Sequence, residues 1–114
     1  MAILTIEKAR AHLRVDDDYP ESQILDYLEA AEDAAQEFIN RRVFSTTEAL
    51  TDAVLAGTAG LDPMVVTPGI RAGILLILGH LFANREDTVV GAAVSELPRG
   101  SMSLLQPYRT GMGV

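Results

Sequence analysis

The stretch IRAGILLILGHLF, residues 70–82, constrains the fold of this chain more than any other. Ile70, Ile74, Ile77 and Leu81 recur on one face at helical spacing, Ala72, Leu76, Gly79 and Ala83 on another, and Leu75, Leu78 and Phe82 on a third side. A helix that is apolar all round predicts burial all round. Arg71 and His80 interrupt the stretch, and it falls short of the ~18 uninterrupted apolar residues that suggest a membrane span. It therefore reads as the central helix of a bundle. Its stripe of small residues, Ala72, Gly79 and Ala83, also suits it to a share in a subunit interface.

The remaining sequence supplies helices to pack around it. Thr5 is placed to cap a first helix over residues 5–14, with Ile6, Ala9 and Leu13 on one face. Asp16, Asp17 and Asp18 repel one another and favour a turn, after which Pro20 opens the longest helix, 20–41. Its apolar stripe is Ile24, Leu28, Ala31, Ala35 and Phe38, and Arg41 and Arg42 suit its negative C-terminal end. Ser45 and Glu48 have capping-box spacing and open a short helix that Gly57 closes. Residues 57–67 read as a linker or partly extended loop. Thr67 and Pro68 open the fourth helix, to about Asn84, and a last short helix falls within 102–106. The expectation is an all-α single domain over 1–114: about four helices plus a short C-terminal one, with a long loop between the last two. Leu28, Phe38, Ile74, Ile77, Leu78 and Leu81 are the predicted core.

Composition narrows the function. At 114 residues and 48% hydrophobic, the chain can bury a single core. It has no cysteine, which excludes disulfide and thiolate chemistry and fits a reducing compartment. No basic region precedes an apolar stretch at the start, so no secretion and no membrane partner are predicted. A net charge of −7 with scattered Lys and Arg argues against general DNA affinity, which needs clustered cations to release counterions from phosphates. His12 and His80 belong to no metal-ligand pair or nucleophile arrangement, and His80 reads as a packed or interface histidine. The aspartates 16–18 lack the ligand alternation of a calcium loop, and no glycine pattern forms a phosphate cradle. No catalytic residue, metal site or cofactor is predicted. The chain does not read as an enzyme.

One polar feature stands out. Asp26, Glu29, Asp33 and Glu37 fall within about a quarter-turn of one another on the second helix, and neither Glu29 nor Asp33 has a Lys or Arg four residues onward. Such a stripe is a solvated face, a face that repels a polyanion, or a face that meets a basic partner.

Two blocks carry a family resemblance. The opening LTIEKARAHLRVDDDYPESQILDYLEAAEDAAQEFINR resembles the N-terminal block of the gp6-like head-tail connector proteins of tailed bacteriophages and prophages, where a similar phrase leads into a long Ala-rich helix. The block PGIRAGILLILGHLFANREDTVVGAAVSELPRGSMSLLQPYR is similar to that family's second landmark, a helix ending in NRE followed by a loop, ELPxG and LLxPYR. The chain departs from the pattern at Phe82 and Ala83, where an aromatic pair is usual, and over 45–66. The resemblance implies a structural virion protein of the phage neck, made in the bacterial host cytoplasm. It would form a ring homo-oligomer matching the portal's symmetry, join the portal protein to a head-closure or tail-joining protein, and extend a channel through which double-stranded DNA passes without specific binding.

On that footing the loop 86–100 becomes an assembly loop and 107–114 a flexible C-terminal tail for docking. The candidate assembly interface is Arg85, Glu86, Val89, Val90, Glu96 and Leu97 with Tyr108 and Arg109, whose residue types are favoured at interfaces. The acidic stripe becomes a candidate channel wall. Two other readings stay open. A DNA-binding packaging accessory protein, akin to a small terminase subunit, requires a basic recognition helix, and a small helical regulatory module requires a concave polar pocket.

Overall fold

A computed structural model describes residues 3–16, 18–60, 62–83 and 98–110. Five α-helices are present among them: α1 (Ile6–Leu13), α2 (Glu21–Ile39), α3 (Thr47–Ala56), α4 (Pro68–Ala83) and α5 (Arg99–Leu105). A single turn of 3-10 helix, Gln106–Tyr108, follows α5 directly. The predicted all-α class and helix count hold. Two short strands, β1 (Val43–Phe44) and β2 (Met64–Val65), pair in parallel and bracket α3, in register Val43 with Met64 and Phe44 with Val65. The second strand is the extended part of the segment read as a linker.

Local chemistry sets the ends. Thr5 caps α1 by accepting from the Lys8 N–H at 3.2 Å. Arg14 closes α1 in the left-handed region, and Asn40 does the same for α2, so α2 stops at Ile39, two residues short of the predicted end. The cap of α3 is Thr46, one residue later than the predicted Ser45; its hydroxyl accepts from the Ala49 N–H at 3.1 Å. Ala49 occupies the N3 position, where a capping box would need Glu or Gln. Thr67 accepts from the Ile70 N–H at 3.2 Å at the start of α4. The C-terminal helix begins at Arg99, three residues before the predicted start, directly after Pro98.

Helices α2 and α4 pack as an antiparallel pair. Strands β1 and β2 join the C-terminal end of α2 to the N-terminal end of α4, while at the other end Phe82 meets Tyr27 edge-to-face at 6.1 Å and Tyr19 at 5.4 Å. Ile24, Leu28, Ala31, Ala35 and Ile39 of α2 interlock with Ile70, Ile74, Ile77, Leu78 and Leu81 of α4 in one buried cluster. Helix α5 lies antiparallel on α4 at very close range: a β-carbon on Gly73 would come within 2.9 Å of Leu105. Helix α1 covers the same pair from the other end, with His12 against Gly79.

Two core expectations need correction. Phe38 is half-buried, because its ring sits at the edge of α2 under the Arg109 guanidinium, 4.8 Å from the ring centre. Helix α4 is not buried all round: Leu76 keeps 39% of its surface exposed, and His80 and Ala83 are also exposed. Helices α1, α2 and α5, all packed on α4, do not encircle its sixteen residues.

Candidate functional site

The acidic stripe is real as a surface. Asp26, Glu29, Asp33 and Glu37 are all exposed, and α2 carries no Lys or Arg at all. The face opposite is the one pressed onto α4, so the core fixes which way the carboxylates point. Towards the C-terminal end of the stripe, Asp33 and Glu37 join Gln36, Asn40, Arg41 and Arg42 around a cleft of about 400 Å³. Four carboxylates without a cation on their own helix make a face that repels anions and attracts cations.

The residue between them behaves oppositely. Glu32 is only 4% exposed, and its Oε2 accepts from the backbone N–H groups of Ile3 and Leu4, both at 2.9 Å. Burial raises its carboxyl above the ordinary value, opposed by those two hydrogen bonds and reinforced by Glu29 nearby. The pair of bonds pins the segment ahead of α1 to the middle of α2, with the Ile3 and Leu4 side chains buried beside it. Sequence reading missed Glu32. The available signal was its place one turn after Leu28 on the apolar stripe, where a carboxylate needs a partner.

Arginines organise the two ends of the bundle. Arg10 donates to the carbonyls of Asp16 and Tyr19 at 2.8 and 2.9 Å, clamping the acidic turn between α1 and α2. Arg41 donates from Nε to the Asp62 carbonyl at 2.8 Å and from Nη1 to the Tyr108 carbonyl at 3.4 Å, with Nη2 3.5 Å from the Asp62 carboxylate. Arg41 thus serves less to neutralise the end of α2 than to tie three segments there. Gln36 adds a fourth link by accepting from the Val43 N–H at 3.0 Å, which sets where β1 starts.

Of the candidate assembly residues, Arg85, Glu86, Val89, Val90, Glu96 and Leu97 lie outside the described residues. The final part of that loop, from Arg99, belongs to α5. Tyr108 is half-buried with its hydroxyl against Gly69, and Arg109 stacks on Phe38. Thr110 donates its N–H to the Ile39 carbonyl at 3.0 Å, and the Asn40 side chain donates to the Thr110 carbonyl at 3.1 Å. The first residues of the segment expected to be a flexible tail, 107–114, thus contact α2 and α4 as far as Thr110. Residues 111–114 lie outside the described part.

Among the described residues no group of three or more His, Asp or Glu is placed to hold a metal ion, and no helix is long and apolar enough to cross a membrane. What the described residues present instead is helical surface: the acidic face of α2 and a helix α3 with no buried residue.

Neither a curated protein nor a solved structure gives a significant match to the chain. A family model does match: phage gp6-like head-tail connector protein, over residues 3–109 of the 114. That span takes in every helix described above, including the segment from β1 to β2 where the phrases of the family were not legible. The chain belongs to the phage gp6-like head-tail connector family, and its role is structural, as a connector or adaptor, rather than catalytic.

Proposed function

We propose that copies of this chain form a ring in the phage neck that joins the portal protein to the next head-closure or tail-joining component and prolongs the channel for double-stranded DNA. Membership of the connector family across 3–109 carries this reading. A ring arises when one surface of each copy meets a different surface of the next and the rotation closes. The portal-facing contact is assigned to Arg85 and the loop 86–100 together with the tail 107–114, which carries Tyr108 and Arg109. The loop's apolar TVVGAAV run gains from burial against a partner.

The acidic stripe is assigned to the channel. Asp26, Glu29, Asp33 and Glu37 are exposed on a helix without a single basic residue, and a wall of that kind does not retain phosphates as DNA moves past. The test is Glu29→Lys combined with Asp33→Lys. Both residues are exposed, so folding stability should change by less than about 0.5 kcal/mol. Particles should assemble in normal yield but eject DNA more slowly, or hold it in a salt-sensitive manner. Normal ejection with normal yield would remove the stripe from the channel. Failed assembly in the absence of DNA would give the stripe a basic protein partner instead.

A further inference from the structure

Helix α3 is an anomaly in this fold. It has ten residues, none of them buried, and it packs on β1 and β2 at the end where α2 finishes and α4 begins. An isolated helix of this length is marginal in water. Yet it turns Leu55 outward with 82% of its surface exposed and Val54 with 56%. Its charged residues, Glu48 and Asp52, are both acidic. An exposed apolar tip flanked by carboxylates calls for a partner with an apolar centre and a basic rim.

The chain itself offers such a surface. Among the described residues Leu76 on α4 is the other large apolar side chain that stands exposed, and it touches α5 at Gly100, next to the exposed Arg99. Residues 68–83 and 98–110 carry Arg71, Arg99 and Arg109 and no acidic residue, whereas the whole chain has a net charge of −7. The two surfaces are also apart within one copy. Strand β2 holds α3 at the N-terminal end of α4, and Leu76 lies eight residues further on, about 12 Å along the helix axis. They are complementary and different, which is what a head-to-tail contact between identical subunits requires.

We infer that α3 is the knob by which one copy docks on its neighbour: Leu55 and Val54 seat against Leu76 on the α4–α5 face of the next copy, with Glu48 and Asp52 toward its arginines. This inference rests on the ring reading above and specifies which surfaces close the ring. A chain with a strong net negative charge repels its own copies unless each contact brings its acidic part to its basic part. This pairing does so.

The absence of cysteine makes the contact directly testable. Full-length Leu55→Cys and Leu76→Cys proteins are mixed, alone at high concentration and on portal rings, and treated with a short bismaleimide; Glu29→Cys serves as an exposed control. Mixed 55–76 dimers should dominate over 55–55, 76–76 and control products. In parallel, Leu55→Glu should leave the helical circular dichroism and the melting temperature unchanged while weakening self-association about tenfold or more. Dominant 55–55 dimers would overturn the head-to-tail pairing. Assembled rings that give no 55–76 product above control, or that tolerate Leu55→Glu, would overturn α3 as the knob and leave the ring reading intact. Loss of portal binding with self-association untouched would assign α3 to the portal and overturn the inference. A wild-type chain that stays monomeric in both settings would overturn the ring reading and this inference together.

Discussion

Glu32→Ala should be among the most damaging single substitutions in α2, although the position carries a charge. The Glu32 carboxylate holds two buried backbone N–H groups, those of Ile3 and Leu4, at 2.9 Å each. Alanine leaves both without an acceptor, and an unsatisfied buried donor costs about 1–3 kcal/mol. Removing a buried charge offsets part of this, because its desolvation is itself unfavourable. The expected net loss is about 2–4 kcal/mol at pH 7, read from urea unfolding followed by circular dichroism. Glu32→Gln keeps a carbonyl acceptor and drops the charge, so its loss should stay below about 1 kcal/mol. Burial raises the Glu32 carboxyl above its ordinary 4.5, so the folded state takes up the proton more readily than the unfolded chain. That contribution is fully present below 4.5 and is lost as pH rises through the raised folded value. Wild type should therefore lose stability relative to Glu32→Gln as pH rises across that window. A loss below about 0.5 kcal/mol for Glu32→Ala, or the opposite pH trend, would refute the reasoning.

Three further outcomes follow from the packing. Ile77→Ala, in the fully buried seam between α2 and α4, should cost about 2–5 kcal/mol by the same unfolding assay, and a loss below about 0.5 kcal/mol would place it outside the core. Gly73→Ala puts a methyl group 2.9 Å from Leu105 and should cost about 1–3 kcal/mol, with partial recovery when Leu105→Val makes room. Deletion of residues 108–114 removes Tyr108 from Gly69 and the Thr110 bonds to the end of α2, so the melting temperature should fall measurably, while deletion of 111–114 alone leaves those bonds in place.

The helices were legible because their signals are local. Thr5, Gly57, Thr67 and Pro68 mark their ends by chemistry that acts within four residues, and the stripes Ile24–Leu28–Ala31–Ala35 and Ile70–Ile74–Ile77–Leu81 show the faces that meet. The exposure of Asp26, Glu29, Asp33 and Glu37 followed from the same periodicity. What sequence could not give depends on distant pairing. Thr46 replaces Ser45 as the cap after β1 pairs with β2, twenty-one residues away in register. Glu32 is buried because two N–H groups from residues 28 and 29 positions earlier reach it. Arg41 looked like a helix-end charge and instead binds Asp62 and Tyr108. Helix α3 was visible as a helix, but that none of its residues is buried is a property of where β1 and β2 carry it. Leu76 likewise sat within an apolar helix whose uncovered side only the packing of α1, α2 and α5 reveals.

The most direct test of the central claim is electron microscopy of the purified chain mixed with its cognate portal. The account predicts a closed ring of copies coaxial with the portal and matching its symmetry, with an open central channel continuing the portal's own. Portal particles that remain bare at saturating concentrations of the chain, or that carry it without closing a ring around the channel, would contradict it.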